Sequence, residues 1–411
     1  MDNAQISLPN YHLTEKLHEG TRTLVYRGQW VRTGASTPPQ QQSVIIKFLK
    51  SEYPSFIELV QFRNQYAIAQ QLDIAGIVKP LALEPYQNSY ALVMEDGGYV
   101  SLKQWMERRT GTNLDGDGNA DLDVGRDVGR DVGRDVGRDA GRDADRDTDR
   151  NGTRERQTLP LSISEVLEIA IQLVEILHHL HHCRVIHKDI KPANILIHPE
   201  THAIQLADFS ISTLLPKEQQ VIQNPNTLEG TLAYIAPEQT GRMNRGIDYR
   251  ADFYALGVTL YELLTGQLPF NASDPMEVVH CHIAQSPPPM ASNVGANQSG
   301  SDGATPDHQE YCPPIPLALE QIVLKLMAKN AEDRYQSALG LKHDLEFCLA
   351  QWQGTNTIPM FTLGQKDRGD RFLIPEKLYG RQREVNMLLA AFERVALPQV
   401  AEPAISQASI S

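Results

Sequence analysis

Cysteine is scarce in this chain and is placed without pattern. The four residues, Cys183, Cys281, Cys312 and Cys348, lie far apart with no paired spacing. They read as reduced thiols of a cytosolic protein, and they exclude a disulfide frame or a zinc site. Basic charge is also short: 38 Lys and Arg stand against 51 Asp and Glu, a net charge of -13. Phosphate contacts to nucleic acid need a basic surface, so that class is excluded. Long apolar runs are missing, with no stretch near the roughly 18 residues that a membrane span requires. Met1 to Asn10 lacks the charged and apolar regions of a signal peptide, so a cytoplasmic protein is expected. What is there is length and core: 411 residues, 41% of them hydrophobic, suit one large two-lobed domain with extras or two to three ordinary domains.

The texture changes along the chain. From Tyr11 to Met94 it is strand-like, with β-branched or apolar runs at Leu24–Tyr26, Val44–Leu49 and Ala91–Met94. One helix interrupts it, where Phe56, Leu59, Val60, Phe62, Tyr66 and Leu72 recur near helical spacing. A low-complexity insert follows from Gly111 to about Thr158, built on repeats of Asp-Val-Gly-Arg. Its period of four with almost no large apolar side chain cannot make a core, and Arg in each unit offsets the Asp charge that calcium binding would need. From Leu161 the pattern is helical, with a stripe of Ile163, Val166, Leu167, Ala170, Leu173, Val174 and Leu177. Further helices are expected at 251–264, 319–329 and 337–352, with a loose Pro, Ser, Asn and Gly-rich segment at 286–316. The order predicts an α+β, two-lobed fold with a ligand cleft between the lobes.

The chemistry gathers in one run, His187-Lys188-Asp189-Ile190-Lys191-Pro192-Ala193-Asn194. Phosphoryl transfer needs cations on the phosphates, a positioned hydroxyl and a carboxylate to take its proton. Asp189 can accept that proton, Lys191 can neutralise the moving phosphoryl group, and Asn194 can hold a metal ion. Fourteen residues on, Asp208 follows a short apolar run and adds a second oxygen ligand suited to Mg²⁺.

These residues resemble the catalytic and metal-binding loops of eukaryotic-like Ser/Thr protein kinases. The resemblance runs from Tyr11 to about Trp352 and implies a bilobal protein-kinase fold: a small β-rich N-lobe (11–95) with one helix, and a larger, mainly helical C-lobe (96–352) carrying the insert. It implies ATP as co-substrate, Mg²⁺ or Mn²⁺ as the ion, and a protein substrate with a Ser or Thr acceptor. Lys47, at the end of Val44-Ile45-Ile46-Lys47, matches the lysine that holds the α- and β-phosphates. Leu17, Gly20 and Val25 fall on the nucleotide lid; Met94, Glu95 and Gly97 fall on the hinge that meets adenine, with Met94 as gatekeeper. Asn194 and Asp208 would be the metal ligands. Thr231 would position substrate, Asp252 would brace the catalytic loop, and Glu238 of Ala-Pro-Glu would pair with Arg334 as a buried structural ion pair.

Five departures from the family pattern bear on activity. The lid keeps Gly20 alone, with His18 and Thr23 where glycines are usual. Gln65 stands where a Glu would pair with Lys47; Gln can hydrogen-bond Lys47 but brings no charge, so Lys47 is expected to be less firmly held. Ser210 replaces Gly after Asp208-Phe209. Lys188 replaces the Arg that grips a phosphorylated activation loop, so control through Thr227 or Thr231 is less expected. These keep a second reading open, that of a pseudokinase or ATP-binding regulatory scaffold; a small-molecule kinase is opposed by Thr231, Ala-Pro-Glu and Asp252. His178, His179, His181 and His182 have metal-ligand spacing but read as a polar helix end. After a linker at 353–371, Phe372 to Glu384 and an amphipathic helix at 385–395 resemble the start of the ATPase module that follows the kinase in large cyanobacterial signalling proteins. No P-loop follows, so 372–411 reads as a truncated module start. Downstream ATPase or sensor modules, or separate signalling proteins, are the expected partners.

Overall fold

The computed structural model of the protein describes residues 6–34, 37–109, 160–214, 231–242, 246–290 and 314–369. The low-complexity insert, Thr227, Cys312 and the 372–411 tail lie outside the described residues, as does most of the 286–316 segment.

Strands β1 (Tyr11–Glu19), β2 (Thr23–Gly34), β3 (Thr37–Leu49), β4 (Pro80–Tyr86) and β5 (Ser89–Glu95) form an antiparallel sheet in the order β1-β2-β3-β5-β4. The two-residue period sorts its faces. Val44, Ile46 and Phe48 join Tyr11, Ala91 and Val93 in one buried cluster. Lys47 points to the other face, in register with Val25 on β2 and Leu92 on β5.

Helix α1 (Phe56–Gln71) opens with a capping box, in which Ser55 Oγ accepts the Glu58 N–H at 3.3 Å and the Glu58 carboxylate accepts the Ser55 N–H at 2.8 Å. Its buried face is Phe62, Gln65, Ile68 and Ala69. The expected stripe through Phe56 and Val60 is corrected: they are 80% and 48% exposed. Apolar residues occupy two sides of this helix, and periodicity cannot say which side meets the sheet.

The helical lobe contains α2 (Leu102–Arg109), α3 (Ile163–His182), α4 (Arg250–Thr265), α5 (Pro275–Ala284), α6 (Leu317–Leu326) and α7 (Ala338–Thr355). A second capping box, Ser162 with Glu165, starts α3, and every member of its expected stripe is buried. α4 is buried along nearly its whole length and is the centre of the lobe. It approaches the end of α6 so closely that a Cβ on Gly257 would lie 2.8 Å from Leu326 and Met327 side chains. α6 ends at Leu326, short of the expected 329, because the chain turns there to carry Arg334 inward.

Short strands position the chemistry. β6 (Val100–Ser101), β8 (Ile195–Ile197) and β9 (Ile204–Leu206) form one small sheet, and β7 (Val185–Ile186) pairs with β10 (Thr213–Leu214). The run 187–194 is thus the loop between β7 and β8, and Asp208 lies in the loop between β9 and β10. Beyond α7 the chain folds back on the lobe. Asp367 Oδ1 accepts the Ser337 N–H and Oγ–H at 2.8 Å, and its Oδ2 accepts the Gln336 N–H at 2.8 Å. The expected linker therefore packs against the helical lobe as far along as Asp367. No helix among the described residues is long and apolar enough to cross a membrane.

Candidate active site

The β7–β8 loop is held from beneath by Asp252, at the start of α4 and wholly buried. Its carboxylate accepts the backbone N–H groups of His187 at 3.0 Å and Lys188 at 2.8 Å, and the His181 Nε2–H at 2.9 Å. Burial alone would raise its pKa, but the His181 hydrogen bond and the surrounding donors leave it below the usual carboxylate value. These bonds also hold Lys188 at a φ of 70°, a left-handed conformation unusual for a non-glycine residue. His181 is therefore a buried brace rather than part of a polar helix end. Its signal was in the sequence, four residues beyond Leu177 on the buried stripe of α3.

Asp189 is the hub of the loop. Asn194 donates both amide hydrogens to it, at 2.9 Å to the backbone oxygen and 2.7 Å to Oδ2. Lys191 Nζ lies 3.0 Å from Oδ2 and also donates to Thr231 Oγ1. Thr231 donates to Asp189 Oδ1 from its backbone N at 3.2 Å and its hydroxyl at 3.1 Å. Thr231 therefore faces the carboxylate that can take a hydroxyl proton. The four residues Asp189, Lys191, Asn194 and Thr231, expected together from the pattern, do meet.

Across the cleft, Lys47 Nζ lies 3.1 Å from Asp208 Oδ2 and 3.2 Å from Gln65 Oε1. Burial pushes the Asp208 pKa up, but the Lys47 charge and hydrogen bond overcome this and bring it down to about 2. Asp208 Oδ1 is buried with no hydrogen-bond partner among the described residues. An anionic oxygen in that state, with the Asn194 donors already spent on Asp189, fits a hard divalent cation held by Asp208 and the Asn194 amide oxygen. Asp208 also has a positive φ, 66°. The helix α1 reaches this loop a second time: Asn64 Nδ2 donates to the backbone oxygens of Ser210 at 3.2 Å and Ser212 at 2.9 Å.

The residues expected to form a lid lie on the β1–β2 hairpin, which is closed by Gly20 N–H donating to Thr23 O at 2.9 Å. Val25 is paired with Lys47 across the sheet and Leu17 is half-buried nearby on β1. Met94 is buried against Phe62 of α1, while Glu95 and Gly97 are exposed at the end of β5. Between them Asp96 accepts Arg27 Nε–H and Ser43 Oγ–H, both at 2.8 Å, tying the end of β5 to β2 and β3.

Below the catalytic loop, Arg334 is 1% exposed and donates to both Glu238 oxygens, at 2.6 and 2.9 Å. It also donates to the backbone oxygens of Arg250, Ala328 and Lys329, at 2.9, 2.8 and 3.2 Å. All five guanidinium hydrogens are thereby satisfied. The next residue, Gln239, donates to Lys188 O at 3.0 Å and so joins this anchor to the catalytic loop. One pair was missed from sequence: Tyr234 donates to Glu262 at 2.5 Å, and burial holds both pKa values above normal. A lone Glu in the apolar α4 run was the available signal.

This arrangement, a five-stranded antiparallel sheet with one helix followed by a helical region, in which Lys47 meets a loop carrying Asp208 beside the loop carrying Asp189, fits the protein-kinase fold. A family model described as the protein kinase domain matches residues 147–345, which contain the catalytic loop, Asp208, Glu238 and Arg334. The chain is 34% identical to serine/threonine-protein kinase PknB of Mycobacterium leprae over 45% of its own length and 26% of that protein. It is 32% identical to PknB of Mycolicibacterium smegmatis over 45% of its length and 26% of that protein. It is also 31% identical to hybrid signal transduction histidine kinase G of Dictyostelium discoideum, over 57% of this chain and 9% of that protein. The chain thus carries a protein kinase domain homologous to bacterial Ser/Thr kinases, and it spans about a quarter or less of these relatives.

Proposed function

We propose that this domain is a protein serine/threonine kinase that transfers the γ-phosphoryl group of ATP to protein hydroxyls in bacterial signalling. The observation that carries the reading is the closed array of Asp189, Lys191, Asn194 and Thr231, facing Asp208 and Lys47. Asp189 takes the proton of a Ser or Thr hydroxyl as its oxygen bonds to the γ-phosphorus. The bond from that phosphorus to the β–γ bridging oxygen breaks and ADP leaves. Lys191 offsets charge on the moving group, and Lys47 holds the α- and β-phosphates. The hinge backbone at Glu95 and Gly97 reads adenine, Met94 bounds the pocket, and Leu17, Gly20 and Val25 cover it. Asn194 and Asp208 would hold Mg²⁺ or Mn²⁺, which would supply neutralisation of the phosphate charge.

Gln65 favours a second reading, an ATP-binding regulatory scaffold with little turnover, because it gives Lys47 a neutral partner. The test is transfer of labelled phosphate from ATP to the protein itself or to a generic Ser/Thr protein, with Mg²⁺ or Mn²⁺. The wild type should exceed Asp189→Asn by at least a hundredfold, in line with the ~10²–10⁴-fold contribution of a general base. Equal rates refute the kinase and leave the scaffold. The tail at 372–411 supports placing this domain ahead of an ATPase-like module in a larger cytoplasmic signalling protein, with that module or separate signalling proteins as partners.

A further inference from the structure

We infer that Asn64 is a positioning residue, which couples helix α1 to the metal-binding loop through uncharged hydrogen bonds. This rests on the proposed role of Asp208 as a metal ligand. Two adjacent amides of α1 face the cleft. Gln65 meets Lys47 at 3.2 Å, and Asn64 donates to the Ser210 and Ser212 backbone oxygens at 3.2 and 2.9 Å. Those oxygens belong to the loop that starts at Asp208, whose φ of 66° lies in the left-handed region. The link continues inward, because Ser212 Oγ donates to His187 O at 3.0 Å, on the catalytic loop. The Phe209 ring packs on His187, with centroids 4.9 Å apart, and His187 Nε2 donates to Ala207 O at 3.0 Å. Asn64 thus grips the far side of a loop whose near side carries the Asp208 carboxylate.

The need for such a grip follows from Gln65. Gln65 brings no charge of its own, so Lys47 holds α1 by an ion–dipole hydrogen bond rather than by an ion pair, and α1 is held less firmly through that contact than a Glu would hold it. Lys47 has its ionic contact with Asp208 instead, at 3.1 Å. A cation at Asp208 competes with that contact. Asn64 keeps helix and loop together whichever partner the carboxylate has, because it bonds backbone atoms and not the carboxylate. A residue with an amide donor is required there; an acceptor would face two carbonyl oxygens.

The experiment uses the full chain and three variants: Asn64→Ala, the near-isosteric Asn64→Asp, and Asn64→His, which keeps a ring donor. Affinity for ATP is measured with Mg²⁺ and with EDTA, and backbone hydrogen exchange of 208–214 is followed without nucleotide. Asn64→Ala should weaken Mg²⁺-dependent binding about five- to tenfold, the effect of losing one or two net hydrogen bonds. It should leave EDTA-state binding within twofold and speed exchange at 208–214. Asn64→Asp should be weaker than Asn64→Ala, and Asn64→His should recover part of the loss. Unchanged exchange and unchanged Mg²⁺-dependent affinity in Asn64→Ala and Asn64→Asp overturn the inference. Equal losses with Mg²⁺ and with EDTA also overturn it, since they mark a general packing defect. A wild type that binds Mg²⁺·ATP but transfers no phosphate refutes the kinase reading alone, and the exchange result still decides Asn64.

Discussion

Removing the carboxylate of Glu238 is expected to be among the most destabilising single changes in this domain. In Glu238→Ala the Arg334 guanidinium stays in place, 1% exposed, and loses the acceptors now at 2.6 and 2.9 Å. Three backbone oxygens remain, so two of the five donors are orphaned in a site that water does not reach. Breaking one side of a buried pair costs about 3–5 kcal/mol, because the charge left behind has no compensation. For a domain of this size that corresponds to a fall of roughly 6–10 °C in Tm. Glu238→Gln keeps one acceptor and should lose about half as much. The double variant Glu238→Leu/Arg334→Met removes both charges and should recover most of the loss, because apolar replacement of a whole buried pair is often neutral. Urea unfolding followed by circular dichroism measures each step, with Asp189→Asn as a control that keeps the pair. A Glu238→Ala protein within 1 kcal/mol of wild type would refute the argument that this pair anchors the segment. So would a double variant no better than the single one.

Three further outcomes are expected. His282 is fully buried against Tyr254 and Phe270, and burial with the nearby Lys329 charge lowers its pKa to about 3. Its folded pKa is depressed, so its contribution is complete above the unfolded value near 6.5 and is lost as pH falls toward 3. That amounts to about 2 kcal/mol of lost stability by pH 5, and His282→Gln should flatten that part of the urea-midpoint profile. Replacing 110–159 with eight Gly and Ser residues should preserve the fold, because Arg109 already pairs with Glu165 across the two ends of the insert. The shorter connection should add up to about 1.5 kcal/mol by loop closure, and an unfolded product would show that the insert supplies core contacts. Gly340→Ala places a Cβ 2.5 Å from Asp367 Cα, so it should displace the 356–368 strap, as should Asp367→Ala. Trypsin cleavage after Lys366 and Arg368 should then accelerate in both variants and not in Lys342→Ala, whose ion pairs are exposed.

Much of this protein is written locally. The candidate site at His187 to Asn194 is legible because loop, carboxylate and amide lie within eight residues and bond to one another. The capping boxes at Ser55 and Ser162, and the α3 stripe, are local for the same reason: three- and four-residue spacings set them. Gln65 could be placed against Lys47 by counting, and the contact is present at 3.2 Å.

Tertiary packing decided the rest. Which face of α1 turns inward depends on the sheet it meets, so Phe56 and Val60 were misread. His181 reads as one of four histidines of a polar helix end until α4 brings Asp252 to 2.9 Å from it. Asn64 carries no sequence signal at all, since its partners are backbone carbonyls 146 and 148 residues away. The strap at 356–368 reads as a linker because Asp367 works by capping a distant helix start. Periodicity and spacing determine what an element is and which chemistry it can carry. Which neighbours it bonds is set only when segments far apart in the chain are packed together, because hydrogen bonds and burial depend on distance in space.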